Sequence, residues 1–348
     1  MGTGESGARI RVAQWATGTV GAFAMRAVIE HPGMELVGVR VYSAAKEGKD
    51  AGELCGLPPV GIIATRSIEA IIAARPDCLL YMPESTDAAD ICRLLSSGIN
   101  IVTTRSEFFH PDMMEPALRV AVEAACVSGG SSIHATGSSP GFITEALPIA
   151  ITSMSRRVDF LDIEEFANCL EGCSEDMLID VMGFGDTPEA FAARHTPDHA
   201  SFERSLNVVA AAMGLPLDSF ETSVEGAVCR KETFLRTKAI PAGTIGVQRV
   251  SVTGSCNGKP LMRFSSNWYV TTDVDCDWDL RKDGWRVSLQ GDAPVEMTLN
   301  LPMPIEETMR ASARYTAHRP VNTIPFVVAA PPGIVTTAML PNIVARLA

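Results

Sequence analysis

The stretch Ile10-Arg11-Val12-Ala13-Gln14-Trp15-Ala16-Thr17-Gly18-Thr19-Val20-Gly21 decides how the chain is read. Ile10–Trp15 is apolar and short enough for a buried strand, and Val20–Glu30 is an apolar-periodic helix closed by His31-Pro32-Gly33. The turn between them fits G-x-G-x-x-G with Ala16 in the first position. Gly18 lets backbone approach a pyrophosphate, Gly21 allows close helix–strand packing, and the helix N-terminus offers N–H groups and the positive dipole end. A glycine triplet alone is weak evidence. Placed directly after a strand and opening a helix, it predicts a dinucleotide site built on Thr17, Gly18, Thr19 and Val20.

The same alternation continues outward. Strands are expected at Met34–Tyr42, Cys78–Met82, Ile99–Thr103 and Ser132–Thr136, with helices at Ser67–Ala74, Asp87–Ser97 and Pro116–Ala125. Serial βα units with right-handed crossovers give an α/β, Rossmann-type doubly wound parallel sheet over residues 1–148. After Pro148 the pattern changes. Val158–Phe166 looks like a strand and Thr187–Leu215 is helical with polar breaks. Alternating runs follow at Ile245–Thr253, Met262–Thr272, Trp285–Gln290 and Val295–Leu301, linked by turn signals such as Asn257-Gly258. Residues 149–317 are thus expected to form an α+β second domain with a mainly antiparallel sheet, ending in a helix over Ile305–Ala317. A Pro-rich connection and a tail helix over Thr337–Leu347 should return residues 318–348 to the first domain.

Composition narrows the function. Apolar residues make up 46% of 348, enough for a sizeable core, so a wholly disordered chain is excluded. The net charge of −12 argues against nucleic acid as the main partner, though it leaves room for a local basic pocket. No run approaches the roughly 20 apolar residues needed to span a bilayer, and Met1–Arg9 lacks the apolar core of a signal peptide. Nine cysteines, an odd number in a long chain, fit reduced thiols better than a disulfide framework. A cytoplasmic enzyme is the expectation.

An NAD site usually places Asp or Glu at the end of the second strand, to take the ribose 2′-hydroxyl. Here Val39–Lys46 holds no carboxylate; Ser43 can hydrogen-bond a 2′-phosphate, and Arg40 or Lys46 can neutralise it. NADP is therefore favoured, with NAD as the alternative. The remaining strand ends should also line the crevice: Tyr81–Glu84, Thr103–Glu107 and the turn Thr136–Phe142, with Met82, Pro83 and Thr104 as further cofactor contacts. Glu107 follows the Ile99–Thr103 strand and precedes Phe108, Phe109 and His110. A carboxylate in an apolar pocket has its pKa raised, which suits a general acid/base near neutral pH. A helix-start or surface glutamate is the plainer reading of the same position. Cys169-x3-Cys173 and His195-x3-His199 have the look of a zinc set, but the gap is long and Pro197 breaks the helix that would aim both histidines, so no metal is expected.

With these residues in hand, the chain resembles the 2,4-diaminopentanoate dehydrogenase-like proteins, which include the native amine dehydrogenases and are distant relatives of 4-hydroxy-tetrahydrodipicolinate reductase. The resemblance rests on Ala16–Gly21, Ser43–Lys46 with Gly48–Gly52, Thr103–Glu107, His134–Phe142, Asn322–Pro325 and Pro331–Ile334. The paired-histidine and lysine signature of the dipicolinate reductases is absent. The resemblance implies a homodimer using NAD(P)H for the reversible oxidative deamination of an amine, or reductive amination of a ketone or aldehyde with ammonia. It carries the catalytic glutamate over to Glu107 and adds Asn322 to the cofactor contacts. Phe142, Phe166, Asn168, His199 and Trp268 are the candidates for the substrate pocket. No pair of convergent arginines suggests itself as an α-carboxylate clamp, so an amine without an α-carboxylate is preferred. An NADP-dependent carbonyl or cyclic-imine reductase, and a non-catalytic dinucleotide sensor, stay open as alternatives.

Overall fold

The computed structural model describes residues 8–170, 173–194, 200–235, 237–281, 283–303 and 305–346. In chain order the first strands and helices are β1 (Ile10–Trp15), α1 (Thr19–Glu30), β2 (Met34–Arg40), α2 (Ala51–Leu54), α3 (Ile68–Ala73), β3 (Cys78–Tyr81), α4 (Ala88–Ser96), β4 (Asn100–Thr103), α5 (Pro116–Gly129) and β5 (Ser132–Ala135). There follow α6 (Leu147–Thr152), β6 (Val158–Asn168), α7 (Pro188–Arg194), α8 (Ala200–Ala212), β7 (Ser219–Val228), β8 (Thr233–Phe234) and β9 (Ala239–Ile240). The chain ends with β10 (Ile245–Cys256), β11 (Lys259–Tyr269), β12 (Gly284–Gly291), β13 (Val295–Asn300), α9 (Ile305–Val328) and β14 (Gly333–Val335). It divides into two compact units, Met1–Phe142 with Ser312–Ala348, and Ile143–Ala311.

In the first unit the order β14-β5-β4-β3-β1-β2 forms a sheet whose pairs are all parallel. Cys78-Leu79-Leu80-Tyr81 is buried along its whole length, as a central parallel strand covered on both faces must be. Asp87 caps α4 by accepting from the Asp90 amide, and Ser67 caps α3 through the Ala70 amide. One core cluster joins Val12, Met25, Val28, Val39 and Leu80 to Ala317, Val321, Ile324 and Val327 of α9.

Two expectations for the C-terminal part are corrected. The Pro-rich stretch after Ala317 continues α9 through Pro320 and Pro325 to Val328. Burial of its apolar stripe outweighs the cost of the prolines. The tail is not a helix: it holds a single 3-10 turn, Thr337–Met339, after which Leu340 is extended at φ −90°, ψ 148°. Pro341 follows Leu340, and a residue before proline is pushed out of the helical region. The three-residue strand β14 had no signal of its own.

In the second unit the order β13-β12-β6-β11-β10-β7 is antiparallel except for β6 and β11, which run parallel. The register puts Val252, Phe264, Ile163 and Val287 abreast on one face, where Phe202 of α8 stacks on Phe264 at 3.7 Å. The opposite face carries ion pairs, Arg263 with Asp162 and Arg286 with Glu164.

His134 of β5 is 1% exposed, and its Nδ1 lies 2.7 Å from the Val335 carbonyl of β14. Burial pushes the imidazole down to about 4, with the Val335 carbonyl opposing and the Arg319 charge adding to the fall. Its folded-state pKa is therefore depressed below the ordinary value of 6.5. Between those two values the unfolded chain binds the proton and the folded one does not, so stability rises with pH. The difference is worth about 3 kcal/mol, lost as pH falls from 6.5 toward 4. Urea unfolding across that range should show a slope that His134→Gln reduces, the remainder belonging to the other histidines lowered by burial; an unchanged slope would refute the assignment.

Candidate active site

At the end of β1 the chain turns sharply. Ala16 sits at φ +72°, the left-handed conformation that the missing first glycine would have taken without strain. Gln14 Nε2 donates to the Ala16 carbonyl at 2.9 Å and holds it in place. A Cβ on Gly21 would stand 2.3 Å from that same carbonyl oxygen, so only glycine lets α1 come this close to the turn. Gly18 caps α1 with no side-chain hydrogen bond, and a Cβ there would meet nothing within 4 Å. The first-turn N–H groups of Thr19 and Val20 thus begin a helix whose positive end is uncapped by any side chain of Gly18.

Beside this turn lies a cleft of about 360 Å³ lined by Ala16, Thr17, Gly18, Tyr42, Ser43, Lys46, Met82, Pro83, Glu84 and Ser85. Lys46 Nζ donates to the Thr17 carbonyl at 2.6 Å and to its hydroxyl at 3.2 Å. The structure therefore brings Thr17, Gly18, Ser43, Lys46, Met82 and Pro83 together around one opening. Arg40 is placed differently. Its guanidinium is stacked between the Trp15 ring (4.5 Å) and the Tyr42 ring (3.8 Å), behind the lining residues. Thr104 and Asn322 are half-buried and outside the lining. Glu84, at the strand end expected to line the crevice, does line it, whereas sequence reasoning missed Tyr42 and Ser85; the place of Tyr42 directly after β2 was its signal.

A nucleotide fits what is present. The uncapped helix end and the open space over Gly18 leave room for a pyrophosphate, and Lys46 and Ser43 stand at the same opening. No carboxylate from the end of β2 lines the opening.

Glu107 lies in a 3-10 turn, Ser106–Phe108, after β4. The flanking phenylalanines turn inward, Phe108 at 0% and Phe109 at 2% exposure, and the carboxylate is left with polar company. Its Oε1 accepts from Arg105 Nη2 at 2.6 Å and from the Thr86 hydroxyl at 3.0 Å. Oε2 is buried with no hydrogen-bond partner among the described residues. Burial pushes the carboxyl up, but the Arg105 guanidinium and the Thr86 hydroxyl outweigh it and hold it below the usual carboxylate value. This reverses the raised pKa expected from the apolar neighbours in sequence: the site presents an ionised acceptor.

Next along the sheet, Thr136 and Ser139 each bury a hydroxyl with no partner among the described residues, and Gly141 turns at φ +128°. Phe142 lies 5.3 Å under the Arg319 guanidinium. In the second unit Phe166 is 2% exposed and 5.7 Å from the Arg286 guanidinium. Asn168 accepts from the Leu170 amide, and Trp268 Nε1 donates to Glu165 at 3.3 Å. Register sets Phe166 and Asn168 on one face of the sheet and Trp268 on the other, so the three do not converge from one face. His199 and His195 lie outside the described residues. Among those described, no group of three His, Cys, Asp or Glu is arranged to hold a metal ion. Cys169 is buried in an apolar cluster with Leu178 and Phe184, and its hydrogen bond with Cys173 together with burial pushes its thiol far up. No described helix is long and apolar enough to cross a membrane.

Comparison with known proteins bears on the family and the fold. A protein of Streptomyces virginiae named amine dehydrogenase is 29% identical over 342 residues, covering 94% of this chain and 95% of that one. Among solved structures, an amine dehydrogenase from Mycobacterium smegmatis superposes with a TM-score of 0.75 at 22% identity, over 97% of both chains. A putative oxidoreductase from Magnetospirillum magnetotacticum MS-1 gives 0.54 at 15% identity, over 94% of this chain and 95% of that one. The 2,4-diaminopentanoate dehydrogenase C-terminal domain matches residues 142–348, more than half of the sequence. Together with the strand–turn–helix at Ala16–Gly21, that match shows that the chain belongs to the 2,4-diaminopentanoate dehydrogenase family of oxidoreductases.

Proposed function

We propose that the protein is an NAD(P)-dependent amine dehydrogenase acting on an amine without an α-carboxylate, with Glu107 as its acid/base and NADP as the favoured cofactor. The observation that supports it is the state of the Glu107 carboxyl, ionised with Oε2 buried and unmet. A buried acceptor of this kind costs free energy until an N–H or O–H donor arrives, and ammonium or an amine is such a donor. The family and the names of its relatives supply the reaction class.

In the reductive direction Glu107 Oε2 takes a proton from ammonium, and the ammonia formed adds to the carbonyl carbon of the ketone or aldehyde. The carbinolamine hydroxyl then leaves as water with the proton returned from Glu107. The carboxylate is restored and stabilises the iminium cation. Hydride exchange at the same carbon is the chemistry a nicotinamide supplies when bound. The Ala16–Gly21 turn, Ser43 and Lys46 are the residues to hold it. The adjacent Arg156 and Arg157 are exposed and paired with Asp292 and Asp159, so they offer no clamp for an α-carboxylate.

Glu107→Gln should lower ammonium-dependent turnover by about 10²–10⁴-fold, the usual worth of a positioned proton-transfer group, with NADPH binding by fluorescence unchanged. Retained turnover, or loss of NADPH binding along with it, would overturn the role. Lys46→Ala should weaken NADPH by about tenfold or more, the worth of a charged hydrogen bond, and leave NADH within about twofold. Equal weakening of both cofactors would contradict NADP preference.

A further inference from the structure

The guanidinium of Arg105 makes three separate connections. Its Nη2 donates to Glu107 Oε1 at 2.6 Å, its Nε to the Thr86 hydroxyl at 3.1 Å, and its Nη1 to the Glu84 carbonyl at 2.5 Å. Thr86 in turn donates to the same Oε1 at 3.0 Å. The base of the arginine is fixed as well: its amide donates to the Thr103 hydroxyl at 3.0 Å, and that hydroxyl donates to the Tyr81 carbonyl at 2.7 Å in the fully buried end of β3. One side chain thus ties the acid/base carboxyl to the loop after β3, whose Met82, Pro83, Glu84 and Ser85 line the dinucleotide cleft.

We propose that Arg105 is the positioning residue of this reaction centre, clamping Glu107 through Oε1 so that Oε2 alone serves the substrate nitrogen, and holding the cleft loop through the Glu84 carbonyl. The inference rests on the acid/base role of Glu107. The geometry explains why one carboxylate oxygen is doubly satisfied while the other has no partner. Both donors to Oε1 come from a rigid fork and a hydroxyl that the fork itself orients, which leaves the carboxyl plane no freedom to swing. A lysine has no planar fork and cannot reproduce three connections in fixed directions.

The clamp also sets the charge. Removing Arg105 takes away the strongest group opposing the burial of Glu107, so the carboxyl must rise. The other titratable groups on the elements packed against it do not replace the arginine. Glu84 and Asp87 of the loop are exposed and negative, and His134 of β5 is kept neutral by burial. His110, further along the same segment, is buried and lowered in the same way.

The test uses Arg105→Met, Arg105→Lys and Thr86→Val in the full chain, each checked for folding by circular dichroism. Two readouts are taken. Infrared difference titration, with Glu107→Gln identifying the band, follows the Glu107 carboxyl without substrate. The pH profile of ammonium-dependent kcat and of KM follows its use. Arg105→Met should raise the carboxyl by about one to three pH units, the usual effect of losing an arginine partner, and move the acid limb of the profile up with it. Arg105→Lys should restore part of the charge effect but little of kcat, and Thr86→Val should shift both readouts the same way by less. If Arg105→Met fails to fold, the other two variants decide by the same readouts. A carboxyl that titrates identically in all variants overturns the proposal, as does a lower kcat with an unmoved acid limb. Should the wild-type protein show no ammonium-dependent turnover, the amine reading falls, and the infrared titration still decides the clamp.

Discussion

A carbonyl oxygen and a missing side chain set the geometry of the first unit. The Ala16 carbonyl, held by Gln14, occupies the space in which any Cβ at Gly21 would have to lie. That contact brings the start of α1 against the end of β1 and leaves the helix N-terminus open beside Gly18. In a parallel sheet with right-handed crossovers, every strand then delivers its carboxyl end to the same edge. Tyr42 and Ser43 follow β2, Met82 and Pro83 follow β3, and Glu107 follows β4. The sheet gathers by topology what lies some ninety residues apart in sequence.

The electrostatics of that edge are divided between two basic side chains with different duties. Lys46 points its ammonium at Thr17 in the cleft. Arg105 instead commits its guanidinium to Glu107, Thr86 and the Glu84 carbonyl. The result is one lysine at the cleft and, apart from it, a carboxylate held below its ordinary value by the arginine beside it.

Much of this was legible in the sequence. The apolar run Ile10–Trp15, the spaced glycines and the apolar period of α1 all point to one answer, and local propensity agrees with the tertiary role. The absence of a carboxylate after β2 was equally readable. Three things were not. The extension of α9 through Pro320 and Pro325 depends on burying Val321, Ile324 and Val327, a tertiary gain that local rules do not see. The extended tail turns on a single residue, Leu340 before Pro341. The charge state of Glu107 was misjudged because Phe108 and Phe109 are its neighbours in sequence but belong to the core, whereas Arg105 and Thr86 are its neighbours in space. An arginine two residues before a strand-end glutamate was the available clue.

The most direct measurement is the oxidation of NADPH and NADH with a panel of small ketones and aldehydes lacking a carboxylate, with and without concentrated ammonium at alkaline pH. The account predicts oxidation that requires ammonium and proceeds better with NADPH. Oxidation indifferent to ammonium would contradict it and make the protein a carbonyl or imine reductase built on the same dinucleotide cleft.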